Sequence, residues 1–130
     1  AAGIYLETDI SVLQFKSLYV WLIGKIDNEN GGNIANTSPE RFPEGAMQVR
    51  IKYLDTSGVE QQWYHGFYYS DIKNPDSLHF TKINKRDYFW YIGPDMMGFK
   101  NMPEVIKEVG VYGFGWDFLS NLIDINLIGQ

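Results

Sequence analysis

Residues 46–69 contain the feature that most limits the possible folds of this chain. From 46 to 54, large apolar residues alternate with polar ones, which is the period of a strand with one buried side. Residues 55–58 read Asp-Thr-Ser-Gly, a typical tight turn, and an aromatic-rich run follows at 59–69. This segment predicts a β-hairpin with one face in a core. Its polar side chains on the first strand are Gln48, Arg50 and Lys52.

Five further short runs are rich in β-forming residues and are separated by Gly, Asn, Asp and Pro. No segment shows a convincing long helical period or a parallel βαβ pattern. We therefore predict an all-β fold, an antiparallel β-sandwich or jelly roll, made by one domain spanning 1–130. For the long irregular connection at 27–45, a packed Ω-loop and a ligand-contacting loop remain equally open. The five runs are 17–26, 78–83, 87–92, 105–114 and 122–128.

Charge and composition exclude several classes of function. Sixteen acidic against eleven basic residues give a net charge of -5, which disfavours nucleic acid as a partner. The absence of cysteine excludes disulfides, Cys-liganded zinc and thiol nucleophiles. No apolar run is long enough to span a bilayer, so we expect no membrane insertion. The first residues lack a basic leader, and we expect a trimmed mature form or a piece of a longer secreted, periplasmic or cell-surface protein.

Four parts of the chain resemble, in order, the strands of a known group. They are Asp-Ile-Ser at 9–11 with 18–21, the strand and turn at 47–58, the run 109–116, and Leu-Ile-Asp-Ile-Asn-Leu at 122–127. This order is similar to the galactose-binding-like jelly-roll domains, which include many carbohydrate-binding modules. The resemblance implies a jelly roll and a glycan ligand. Such domains usually begin with one or two more strands, so this one is either minimal or lacks its beginning.

The same resemblance implies a place for structural calcium. In this group, calcium is commonly held by acidic and carbonyl oxygens near the first and last strands. By that analogy, Glu7 and Asp124 are the expected metal ligands. Residues 27–30 also offer several hard oxygens that could hold calcium, but their spacing matches no EF-hand and a solvated loop is the default interpretation.

Carbohydrate recognition needs flat aromatic rings beside planar hydrogen-bonding groups. The outward side of the predicted hairpin meets this requirement, unless it is an ordinary solvated sheet face. Trp63 and Trp90 are expected in the interior or at its rim, since each shares its phase with other apolar residues. The predicted ligand-binding residues are Tyr19, Trp21, Gln48, Arg50, Lys52, Tyr64, Tyr68 and, as a loop platform, Trp116.

Catalysis has little support in the sequence. The two histidines, His65 and His79, lie in no recognisable nucleophile or metal motif, and sixteen scattered acids define no specific pair. We therefore predict a non-catalytic carbohydrate-binding module, working beside neighbouring domains of a larger protein. The alternative is a protein–protein interaction or assembly domain, in which the same rings form an apolar patch against a partner.

Overall fold

The computed structural model of the protein describes the backbone of residues 2–28, 47–68, 79–84, 87–113 and 119–130, and most of their side chains. These residues form eight strands and one 3-10 helix, Met96–Gly98. The strands are β1 (Ala2–Ser11), β2 (Leu18–Asn28), β3 (Met47–Asp55), β4 (Glu60–Tyr68), β5 (Phe80–Lys82), β6 (Tyr88–Ile92), β7 (Pro103–Gly113) and β8 (Leu119–Gly129).

The strands form two sheets that pack together. The five-stranded sheet has the order β1-β7-β3-β4-β5, and the three-stranded sheet has the order β6-β2-β8. All described pairs are antiparallel except β4 with β5, which is parallel. The predicted all-β sandwich is confirmed, with one parallel pair that the sequence did not indicate.

Strand β7 differs from its prediction at its start. The predicted run begins at 105, but the strand already begins at Pro103, which lies opposite Asp55 in β3. Pairing with β1 on one side and β3 on the other supplies hydrogen-bond partners along most of β7. This two-sided pairing outweighs the weak helical preference of Glu104 and Lys107.

The core lies between the sheets and follows the alternation of the central strands. Val49 and Ile51 of β3 are fully buried, as are Val20 and Leu22 of β2 in the opposite sheet. All four belong to one apolar cluster, which includes the buried Met96 of the 3-10 helix. Asp95 fixes that helix, because its carboxylate accepts hydrogen bonds from the backbone N–H groups of Met97 and Leu18.

The β3–β4 hairpin is closed by the carboxylate of Asp55. Its Oδ1 accepts hydrogen bonds from the backbone N–H groups of Ser57 and Val59, and its Oδ2 accepts one from the Gln61 amide. Gly58 has a φ of 78°, a conformation that this turn needs and that other residues rarely adopt. The hydrogen bonds from Val59 and Gln61 lower the pKa of Asp55 below its ordinary value.

A second, smaller cluster lies on the outer side of the five-stranded sheet. It contains the buried rings of Tyr64, Tyr68 and Phe80. The ring of Phe80 lies directly over Gly66, where an added Cβ would be 2.4 Å from Phe80 Cε1. Glycine at this position therefore allows β5 to place its first side chain across β4.

Replacing Gly66 with Ala tests this close approach. The added methyl group must displace the buried Phe80 ring, so we expect the free energy of unfolding to fall by about 1–3 kcal/mol. Gly98→Ala is the matched control, because nothing lies within 4 Å of the position that a Cβ would take there. It should change the free energy by less than about 0.5 kcal/mol in the same urea titration. Equal effects of the two variants would contradict this packing.

The turn carboxylate predicts a pH dependence of stability. A lowered folded-state pKa means that Asp55 stabilises the fold above its unfolded pKa and loses that contribution as pH falls through the folded value. Asp55→Asn should therefore reduce the loss of stability between pH 7 and pH 3, measured as the urea midpoint at each pH. Asp87→Asn, at an exposed carboxylate, is the control. The prediction is refuted if the urea midpoint of Asp55→Asn falls between pH 7 and pH 3 as far as that of the unchanged protein.

Candidate functional site

The outer surface of the five-stranded sheet carries an ordered set of polar and aromatic side chains, which we call the polar face. It consists of the outward residues of β1, β7, β3 and β4. The registers place Tyr5, Gly110, Arg50 and Tyr64 side by side across the four strands. The next row along the strands is Glu7, Glu108, Lys52 and Gln62.

Arg50 is at the centre of the polar face and is held in place from two sides. Its guanidinium lies 4.7 Å from the centre of the Tyr112 ring, a cation–π contact. Its Nε donates a hydrogen bond to Oε1 of Gln48, 2.5 Å away. Gln48 is itself only 1% exposed, so this anchor has little freedom to move. The plane of the guanidinium is therefore fixed before any ligand arrives.

Tyr112 and Glu108 extend this arrangement along β7. The Tyr112 hydroxyl donates a hydrogen bond of 2.6 Å to Oε1 of Glu108, and the Tyr112 ring lies against Gly110. Burial, with help from the Glu108 hydrogen bond and charge, raises the pKa of Tyr112 to about 12. The other Glu108 oxygen is 4.0 Å from Nζ of Lys52. The phenol thus stays protonated at neutral pH and fixes the orientation of the carboxylate.

An open groove adjoins this arrangement at one end of the polar face. Its volume is about 400 Å³, and its lining combines carboxylates with the ammonium groups of Lys52 and Lys107. Lys107 is paired with Asp9 across β1 and β7. The carboxylates that line it are Glu7, Asp9, Glu60 and Glu108.

The predicted site residues on the hairpin lie on the expected face but differ in accessibility. Arg50 and Lys52 are half-buried. Gln48, Tyr64 and Tyr68 are buried, with 1%, 9% and 5% of their surfaces exposed. The Tyr64 ring stacks on His79 at 4.7 Å and meets the edge of Phe80, so its face is already occupied. Tyr64 and Tyr68 therefore pack within the protein and do not present flat rings to a ligand.

Tyr19 and Trp21 lie on the opposite outer surface of the protein. They belong to β2, which is in the three-stranded sheet and pairs with β6 and β8, not with β3. We call the outward side of this sheet the aromatic face. Its described residues include Tyr19, Trp21, Ile23, Trp90, Ile92 and Ile128, with Tyr88 and Lys25 at one end.

Trp90 was expected in the interior and is instead 68% exposed, so that prediction is wrong. Both sides of β6 carry aromatic residues, and its pairing with β2 directs Phe89 and Tyr91 into the core, which leaves Trp90 on the outer side. Trp63 is half-buried against the main core, as expected.

Of the predicted calcium ligands, Glu7 and Asp124, the structure describes the side chain of Glu7. Glu7 is exposed on β1 of the five-stranded sheet, and Asp124 pairs with Ile23 in the other sheet. The Asp124 side chain and the whole of Trp116 lie outside the described residues. Within those residues, no three His, Cys, Asp or Glu side chains are grouped to hold a metal ion. Calcium binding by Glu7 and Asp124 stays a prediction.

Both histidines make contacts that suit structural roles. His65 is buried, shares a hydrogen bond of 2.7 Å with the Thr81 hydroxyl, and stacks on Tyr91 at 4.5 Å. His79 stacks on Tyr64.

Three residues of the polar face were missed by the sequence reasoning. Tyr5, Glu108 and Tyr112 belong to β1 and β7, which the hairpin alone does not reveal. Glu108, Gly110 and Tyr112 alternate along β7, so the sequence indicates that they share one side of the strand. That this side is the one of Arg50 follows only from the register between β7 and β3.

The Tyr112–Glu108 contact can be tested by phenol titration. Glu108→Gln removes the negative charge and weakens the acceptor, so the pKa of Tyr112 should fall from about 12. Tyr91, whose pKa burial also raises to about 12, is an internal control and should not change. Chemical shifts of 13Cζ-labelled tyrosine against pH measure both groups. If the pKa values of Tyr112 and Tyr91 fell together, the substitution would have loosened the packing of the whole domain, and the specific contact would not be supported.

Comparison with known proteins adds no family to this picture. No protein-family model, curated protein or solved structure matches the chain. In the part of the chain that the structure describes, no helix is long and apolar enough to cross a membrane.

Proposed function

We propose that this protein is a non-catalytic carbohydrate-binding module of the galactose-binding-like type, and that its glycan lies on the polar face. The observation that carries the proposal is the fixed position of Arg50 between Gln48 and the Tyr112 ring. We also propose that the protein acts outside the cytoplasm, where carbohydrate-binding modules meet their glycans.

Sugar hydroxyls are bound best by planar groups that form paired hydrogen bonds in a fixed direction. The guanidinium of Arg50 and the carboxylate of Glu108 are two such groups on neighbouring strands, and both are held by Tyr112. Because their orientation is already set, binding costs less side-chain entropy than it would for free chains.

A glycan also needs an aromatic surface for its C–H groups, and Tyr5 supplies one. Its side chain is 57% exposed, and its neighbour in the register is Gly110, which has no side chain. One exposed ring beside polar groups and a groove of about 400 Å³ suits a short glycan segment. A protein interface would instead need a continuous apolar patch, which the described side chains of the polar face do not form.

The proposal is tested by affinity electrophoresis through gels that contain galactomannan, xylan, β-glucan or pectin, followed by titration calorimetry with oligosaccharides of the retarding polymer. Arg50→Lys keeps the charge but loses the stacked plane, and we expect about a tenfold weaker affinity. Tyr5→Ala removes the exposed ring and should weaken binding to a similar extent.

Tyr88→Ala is the matched control for Tyr5→Ala. Both tyrosines are exposed, 65% and 57%, but Tyr88 lies on the opposite face. In the calorimetric titration with oligosaccharides, the control should bind like the unchanged protein. Retardation that survives Tyr5→Ala and Arg50→Lys but disappears in Trp21→Ala would place the glycan on the aromatic face. Absence of retardation in every gel would count against the proposal.

A further inference from the structure

The aromatic face of the three-stranded sheet is exposed although it is made mainly of large apolar residues. Trp90 and Tyr88 are 68% and 65% exposed, Ile92 is 52% exposed and Ile128 is 41% exposed. Monomeric proteins rarely leave a continuous apolar patch of more than a few hundred Å² open to water. This face therefore needs an explanation that the polar face does not supply.

The apolar residues of the face are contiguous across β6 and β2 and reach β8 at Ile128, whereas Asn126 and Asp124 of β8 pair with Trp21 and Ile23. Trp21 pairs with Ile92 on one side, and Trp90 of the same neighbouring strand pairs with Ile23. Tyr19 pairs with Ile128 on the other side. Paired residues on one side of a sheet have Cβ atoms about 5 Å apart, so these residues are neighbours on the surface.

We propose that the aromatic face binds the same face of a second copy of this chain, forming a two-fold symmetric dimer. The exposed area is the first support. Aromatic side chains bury roughly 150–250 Å² each, so the two most exposed rings offer roughly 250–300 Å², and the whole patch roughly 500 Å² per copy. Two copies would then bury roughly 1,000 Å², the lower limit of a specific interface.

Charge is the second support. Lys25 is a charged residue of this face, and its Nζ lies 5.0 Å from the centre of the Tyr88 ring at one end of the patch. Asp124 takes a position on the same side of β8 opposite Ile23, and its side chain lies outside the described residues. A two-fold axis perpendicular to β2 runs the two copies of that strand in opposite directions. Lys25 then faces the end of the patch that holds Tyr19 and Ile128, and two like charges do not meet.

The area also predicts how strong the dimer is. An interface at the lower size limit forms a weak, reversible complex, and we expect association between about 5 and 500 μM. Each chain carries a net charge of -5, so repulsion opposes pairing at low salt. Added NaCl should therefore strengthen this apolar dimer, whereas it would weaken one held by ion pairs.

The experiment is sedimentation equilibrium of the full chain over that concentration range, at low and high NaCl. The average mass should rise from 15.0 kDa for one chain towards twice that value. Trp90→Ser should raise the dissociation constant at least about tenfold. Tyr5→Ser is the matched control, because it removes an exposed ring from the polar face and should leave association unchanged.

Ile92→Lys is a second variant, which places a charge within the patch beside Trp21 and should abolish association even if Trp90→Ser folds poorly. Circular dichroism confirms that each variant keeps its strands. A mass that stays at 15.0 kDa throughout overturns the proposal. Association that both variants leave intact also overturns it. So does a tryptophan fluorescence change that polysaccharide causes in the unchanged, monomeric chain but not in Trp90→Ser.

Discussion

The packing of β3 against β2 is the contact on which the rest of the structure depends. Val49 and Ile51 of the five-stranded sheet and Val20 and Leu22 of the three-stranded sheet are fully buried in one cluster. Since side chains alternate along a strand, burial of these four residues decides where their neighbours point. Arg50 must face outward from one sheet, and Trp21 must face outward from the other. The two candidate surfaces are direct consequences of the core.

Local alternation made much of this predictable. The hairpin and the outward side of Gln48, Arg50 and Lys52 follow from a period of two in β3, and the sandwich follows from the series of short β-rich runs separated by turn residues. What alternation cannot provide is the order of strands in a sheet. Tyr19 and Trp21 do point outward, but β2 pairs with β6 and β8, so they lie on the far surface from Arg50.

Two other differences have equally specific causes. Tyr64 was placed on the correct face, but its ring is covered by His79 and Phe80, because β5 adds in parallel to β4 across Gly66. The contact of Tyr64 with His79 and Phe80 joins two separate segments of the chain, and no short sequence motif predicts it. In β6 both phases are aromatic, so composition could not decide whether Trp90 faced the core or the solvent.

The two outer surfaces differ in the kind of contact that they favour, and their opposite positions make the two proposed roles compatible. The polar face offers fixed hydrogen-bonding groups beside one exposed ring, whereas the aromatic face offers contiguous apolar area. A dimer formed through the aromatic faces would leave both polar faces directed outward, on opposite sides of the pair. Two weak glycan sites joined in this way could cross-link separate chains of a polymer, and their combined avidity would exceed that of one site. The proposed dimer would bury the Trp90 ring, which accounts for the exposure of this large apolar side chain in a single copy.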